Sequence, residues 1–367
     1  MPDNAAASRL GFLDALRGIA AAWVVMYHVT AIPKPILAVP QWASWISAGA
    51  SGVVLFFVVS AFSLCYTTRF HGPGAVPFYI RRFFRIAPLF YAMLVFSAWP
   101  NPVIDGTAHS WPEIALNVVF AYNFFPSQQW GLVLASWTIG VEMIFYLVFP
   151  LVLRQASDIW RALALALAAL LLGRAILAVL PYLVTDVQSY WTLTVFRHLP
   201  VFLLGVVAYL LRLMLIERRN ASRIGVVLTL GAVVVFGAIV DYRTALLDPY
   251  YWQAIAFSML LVGLSLYAVP LLVNRLTTFL GRISYSLYLL HSPLVMFLRP
   301  AYRAVYEWTL PNTPKLLICL ALTFALVVPL AYCTYRFIER PGIRLGNRLI
   351  ERLALKGALG NARAAPS

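Results

Sequence analysis

Apolar runs of about twenty residues recur along this chain from Leu10 to Phe337, each closed by proline, glycine or a charged residue. A helix of about that length is what crosses the hydrocarbon core of a bilayer. Of the 367 residues, 62% are hydrophobic and 11% charged, against about a quarter charged in soluble domains. Runs such as residues 162 to 172 are apolar on every face and lack the alternation of a membrane β-barrel strand. The sequence therefore reads as an all-α, polytopic transmembrane helix bundle in contact with membrane lipid. The first run carries Asp14 and Arg17 and leads into another span, so it reads as a retained helix and not a cleaved signal.

Cys65, Cys319 and Cys333 lie within apolar runs without CxxC or Cys/His spacing, which predicts packing roles and no metal site. The net charge of +15 would suit nucleic acid, but no basic soluble domain is there to present it. No nucleic-acid partner is expected, and the excess reads as a determinant of topology.

Eleven candidate spans fall near residues 10–32, 46–67, 85–103, 113–126, 134–153, 160–180, 194–215, 222–240, 250–273, 280–300 and 315–337. Basic clusters lie at Arg69 to Arg85, Arg154 to Arg161, Arg212 to Arg223, Arg275 to Arg282 and Arg336 to Arg348. The positive-inside rule wants all of these in the cytoplasm, and eleven crossings cannot satisfy it. Removing one crossing between the third and seventh candidates repairs every assignment, and Glu113 to Phe125 is the shortest run. The expectation is about ten spanning helices with both termini cytoplasmic. Asp105, Asp186 and Asp241 then face outward, and residues 113–131 form an interfacial or re-entrant piece on the outer side. The expected organisation is a cytoplasmic N-terminus (1–9), one membrane domain (10–341) and a short cytoplasmic tail (342–367), irregular in part.

Asp14, Arg17 and His28 share the first span. The eleven residues from Arg17 to His28 make three helical turns, which puts both on one face about 16 Å apart along the axis. With the N-terminus inside, Arg17 lies near the cytoplasmic boundary and His28 deep in the outer half. An ionisable group at that depth faces a cavity or a partner, so His28 is a functional candidate, with an interhelical hydrogen bond as the plainer reading. Arg17 reads equally as a topology anchor paired with Asp14. Arg81, Arg82 and Arg85 meet the cytoplasmic end of the third span, where arginine forks suit phosphate oxygens or simply mark the inner face. Ser136-Trp137 opens the span carrying Glu142, roughly 12 Å below the outer surface. That depth suits a partner for a protonated His28, or a structural hydrogen-bond hub. Ser284, Tyr288 and His291 follow at i, i+4 and i+7 on one face, as polar glue or as part of a site.

Taken in order, these motifs resemble the acyltransferase-3 family of integral membrane O-acyltransferases, over about Arg9 to Pro341. The signatures are Leu13-Asp14-Ala15-Leu16-Arg17-Gly18 with its spacing to His28, Gly52 to Ser60, Arg81-Arg82-x-x-Arg85, Ser136-Trp137 leading to Glu142, Ser284-Tyr285-x-x-Tyr288-x-x-His291, and Glu339-Arg340-Pro341. The resemblance implies ten spans with cytoplasmic termini, matching the charge parity. It also implies His28 as catalytic histidine, Glu142 as a further catalytic residue, Arg17, Arg81, Arg82 and Arg85 as donor-binding, and Asp14, Trp137, Ser284, Tyr288 and His291 as further candidates. Ala61 departs from the glycine usual after Ser60, and no SGNH-type domain follows the tenth span, which suggests a stand-alone member.

The expected activity is transfer of an acyl group, acetyl in the first instance, from acyl-CoA to a hydroxyl of an envelope or exported carbohydrate or lipid-linked glycan, without a metal, in a bacterial inner membrane. A transporter or flippase for such a glycan is the competing reading, since intramembrane Arg, His and Glu also mark transport paths.

Overall fold

The computed structural model describes residues 11–34, 36, 38–71, 74–99, 109–241 and 248–364, and all regular structure among them is helical. Asp105 lies outside the described residues, as do residues 1–10 and the side chain of Asp241. The helices are α1 (Gly11–Ala31), α2 (Gly52–His71), α3 (Ala75–Ala98), α4 (Trp111–Val118), α5 (Trp137–Gln155), α6 (Ile159–Val179), α7 (Val187–Leu193), α8 (Val195–Leu215), α9 (Ala221–Asp241), α10 (Pro249–Leu266), α11 (Arg275–Arg282), α12 (Ser284–Phe297), α13 (Arg299–Glu307), α14 (Asn312–Thr334) and α15 (Arg340–Ala364). A 3₁₀ segment, Gln41–Ser51, leads into α2, and a π turn, Tyr335–Glu339, joins α14 to α15.

Eight of the described segments are long and apolar enough to cross a membrane: Gly11–Ala31, Gln41–Thr68, Trp137–Gln155, Ile159–Tyr182, Val187–Leu215, Ala221–Ala238, Pro249–Leu266 and Asn312–Leu355. Two of the ten expected spans are thus not reproduced by length and composition. The third falls on α3, which has 24 residues but carries three arginines and Pro88. The tenth candidate is broken: α11 ends at Arg282, Ile283 turns, and α12 runs for 14 residues before α13 begins. The doubtful fourth candidate is only the eight-residue α4 and a short 3₁₀ turn, Tyr122–Phe124, too little to cross. Ser110 and Glu113 form a capping box that starts α4. The Ser110 backbone N–H, helped by Gln128, holds the Glu113 carboxylate below the usual range. Where composition suggested an irregular tail, α15 continues to Ala364.

Helix α1 is the hub, packed against α2, α10, α11, α12 and α14, while α2 also meets α8, α10 and α5. Its inner residues Leu13, Leu16, Ala20, Ala21, Val24 and Val25 are buried. Peripheral α6 and α9 keep Leu167, Leu171, Leu230 and Val234 exposed, as lipid-facing helices do. Inside a bilayer, packing depends on close approach more than on water exclusion. Helix α11 lies on α1 through two glycines: a Cβ on Gly281 would collide with the Asp14 carbonyl, and one on Gly18 would sit 2.7 Å from the Gly281 nitrogen. That contact fixes the N-terminal end of α1, which carries Arg17.

Candidate functional site

Helix geometry decides which arginines meet. On α3, Arg82 and Arg85 are three residues apart and share a face, whereas Arg81 is turned about 100° away from Arg82. Arg82 and Arg85 line a cavity together with Arg17 of α1, and Arg81 does not. Of the four arginines expected to serve the donor, three meet at this cavity. The cavity, about 100 Å³, is closed by Ser60 of α2, Glu142 and Tyr146 of α5, and Ser284, Tyr285 and Tyr288 of α12.

Each arginine is held differently. Arg17 donates to Ser63 Oγ at 2.9 Å and lies 3.7 Å from Asp14, so the anchoring pair and the cavity role coexist. Arg82 donates to Thr67 Oγ1 at 3.2 Å, sits over the rings of Phe78 and Tyr146, and leaves its buried Nε without a hydrogen-bond partner. Arg85 pairs with Glu339, which the π turn carries into the bundle, where it is fully buried and also accepts from Ser286 Oγ at 3.0 Å. A carboxylate so enclosed needs these partners, because an unpaired charge there is costly. Arg82 is thus a cavity cation with a buried donor left unused.

Glu142 reads from sequence as a partner for His28 or as a hydrogen-bond hub, and the structure does not pair it with His28. Instead its Oε1 accepts from Ser60 Oγ and from the Tyr146 hydroxyl. Glu142 and Tyr146 are one turn apart on α5 and face the same side, which draws the carboxylate into the arginine-lined cavity. Depth in the membrane matched Glu142 to His28, but azimuth around the bundle separates them.

His28 has a different partner. Its Nδ1 lies 3.0 Å from His291 Nε2 and 3.0 Å from the Val24 carbonyl, and the two rings are 4.9 Å apart. His291 is fully buried; its Nδ1 is bonded to the Tyr288 carbonyl and its Nε2 lies 3.0 Å from Ser292 Oγ. The pair does not line the arginine cavity itself. Tyr288 stands between: it lines the cavity, its ring centroid is 5.4 Å from that of His291, and its hydroxyl accepts from Thr138 at 2.9 Å and donates to the Ala135 carbonyl at 3.1 Å. The i, i+4, i+7 stripe of α12 thus spans both groups, with Ser284 and Tyr288 on the cavity and His291 on His28. Trp137 packs against Phe57 and His198 away from this line.

Sequence reading missed roles for Ser60, Tyr146, Tyr285 and Glu339. Tyr146 could have been found as the i+4 neighbour of Glu142. Tyr285 donates to the Ile86 carbonyl at 2.7 Å and stacks beside Arg85, a contact between distant helices that no local spacing announces. Glu339 depends on a π turn, and no hydrophobic period predicts one.

Together these features define an intramembrane helical bundle in which an arginine-lined pocket adjoins a pair of histidines, a fully buried His291 and a part-exposed His28. The profile of an acyltransferase domain matches residues 10–332, and the chain belongs to that family, acyltransferase-3. It is similar to the O-acetyltransferase OatA of Staphylococcus aureus, at 24% identity over 90% of this chain and 56% of that protein. It also resembles the putative membrane-bound transacylase BcsY of Komagataeibacter xylinus, at 25% over 92% and 83%, and the peptidoglycan O-acetyltransferase OatA of Listeria monocytogenes, at 25% over 90% and 55%. The chain spans little more than half the length of the two OatA proteins. No solved structure matches it.

Proposed function

We propose that this chain is a membrane O-acyltransferase that moves an acyl group, acetyl in the first instance, from acyl-CoA to a hydroxyl of an envelope or exported carbohydrate. The observation that carries the reading is the convergence of Arg17, Arg82 and Arg85 on one cavity whose far wall, Tyr288, touches the histidine pair. A coenzyme A thioester has phosphates at one end and its reactive carbonyl at the end of a long, thin arm. Arg82 and Arg17 hold phosphate at the cytoplasmic mouth, and the arm runs past Tyr288 toward His28. Glu142, held by Ser60 and Tyr146, balances the arginine charge inside the cavity.

At the far end, neutral His28 takes the proton of the acceptor hydroxyl as its oxygen attacks the thioester carbonyl. The tetrahedral adduct collapses, the C–S bond breaks, and the departing coenzyme A thiolate takes the proton from the His28 imidazolium, which returns the base to its neutral form. Ten crossings with both termini in the cytoplasm of a bacterial inner membrane would place the arginines on the side where acyl-CoA is made. The failure of α4 to span supports that parity.

The test is single-turnover release of free thiol from acetyl-CoA and longer acyl-CoAs by the purified protein. His28→Ala is expected to lower the rate by about 10² to 10⁴, and Arg82→Ala to raise the donor KM about tenfold or more with a smaller change in kcat. A wild-type protein that neither binds nor consumes any thioester, with candidate glycans present, would overturn the proposal.

A further inference from the structure

The geometry points to His291 as the positioning residue that fixes which nitrogen of His28 acts as the base, leaving Nε2 of His28 as the proton acceptor. This rests on the acyltransferase reading for its catalytic meaning, but its structural part stands on hydrogen bonding alone.

The argument starts at the Tyr288 carbonyl, which only accepts. His291 Nδ1 is bonded to it, so that nitrogen carries a proton. In neutral imidazole the other nitrogen then carries a lone pair, and His291 Nε2 is an acceptor. That acceptor lies 3.0 Å from His28 Nδ1, and the Val24 carbonyl lies 3.0 Å from the same atom. Two acceptors facing one nitrogen require a hydrogen on it. Nδ1–H of His28 is thereby set, and its lone pair is on Nε2. Among the described residues, Nε2 of His28 has no hydrogen-bond partner, and it is not among the polar atoms sealed from solvent. The open nitrogen is the one left free to accept a proton.

Protonation of Nε2 makes an imidazolium whose Nδ1–H donates to Val24 O and His291 Nε2, so the pair also stabilises the charge that develops in the reaction. His291 here takes the part that a carboxylate plays behind a catalytic histidine elsewhere, and the part that spacing alone had suggested for Glu142. Ser292 Oγ–H, 3.0 Å from His291 Nε2, donates to the same lone pair and keeps it oriented as an acceptor. The ring of His291 stays put because its other nitrogen is tied to the backbone of its own helix.

Three substitutions separate positioning from packing. His291→Phe fills the space but removes the acceptor, His291→Ala removes both, and His291→Gln restores an acceptor at about the place of Nε2. For the purified protein with acyl-CoA, kcat is expected to fall at least tenfold in His291→Phe and His291→Ala with the donor KM unchanged, and to recover in part in His291→Gln. The second readout needs no turnover: ring-nitrogen NMR of protein labelled with ¹⁵N-histidine, with His28 among the five histidines assigned by loss of its signals in His28→Gln. Wild type is expected to show His28 as the Nδ1–H tautomer, and His291→Phe to show a mixture. An Nε2–H tautomer in wild type, or His291→Phe with both kcat and tautomer unchanged, overturns the inference. If no thioester is consumed by any variant, yet the tautomer changes as expected, the pair is upheld and the acyltransferase reading fails.

Discussion

Arg85 carries a charge into the bundle because Glu339 is there to meet it. Glu339 is fully buried, and its remaining contact is the hydroxyl of Ser286. Removing one partner of such a pair leaves the other charge uncompensated, a cost of about 3 to 5 kcal/mol in buried settings and less where one partner reaches water. Glu339→Gln is therefore expected to lower the melting temperature of the detergent-solubilised protein. Arg85→Met combined with Glu339→Leu is expected to be milder than either single change, because both charges are then gone. Heat-induced aggregation read on the single and double variants checks this, and equal losses in all three would contradict it. Ala61 shows the same dependence on a distant partner. The family usually has glycine at this position, yet here Gly205 of α8 supplies the missing space: a Cβ on Gly205 would lie 2.9 Å from that of Ala61.

Among the elements, the α1–α11 contact has the clearest consequence. The backbones approach closely enough that a methyl group on Gly281 would run into the Asp14 carbonyl, three residues before Arg17. The helices cannot move apart without shifting Arg17 away from the cavity. Gly281→Ala is expected to destabilise the protein by about 1 to 3 kcal/mol, as overpacking does, and to raise the donor KM more than it lowers kcat. Steady-state kinetics on folded variant checks the second part; a change in kcat alone would argue against a link between this crossing and Arg17. The amphipathic α11 is itself started by Asn274, whose side chain accepts from the backbone N–H groups of Leu276 and Thr277. A local capping signal thus sets an element that positions a residue far from it in sequence.

For the whole molecule, the charge parity makes a definite claim. Ten crossings put the loop around Ser127 outside and the basic turn around Asn220 inside. Both residues are exposed. In a background without Cys65, Cys319 and Cys333, Ser127→Cys is expected to react with a membrane-impermeant maleimide in intact cells, and Asn220→Cys only after permeabilisation. The reverse pattern at either site would refute the topology. Amino-acid sequence alone determined that the chain is a helical membrane bundle, that Glu113 to Phe125 does not cross, and that arginines gather at one end with a histidine about three turns above Arg17. These follow from run length, charge and helical period, which are local quantities. Tertiary structure decided what each charged group meets: Arg81 outside the cavity, Glu142 with Ser60 and Tyr146, His28 with His291, Arg85 with Glu339. Spacing along one helix gives depth and face, but the azimuth of one helix against another comes from the packing of the whole bundle, and partners are chosen by azimuth.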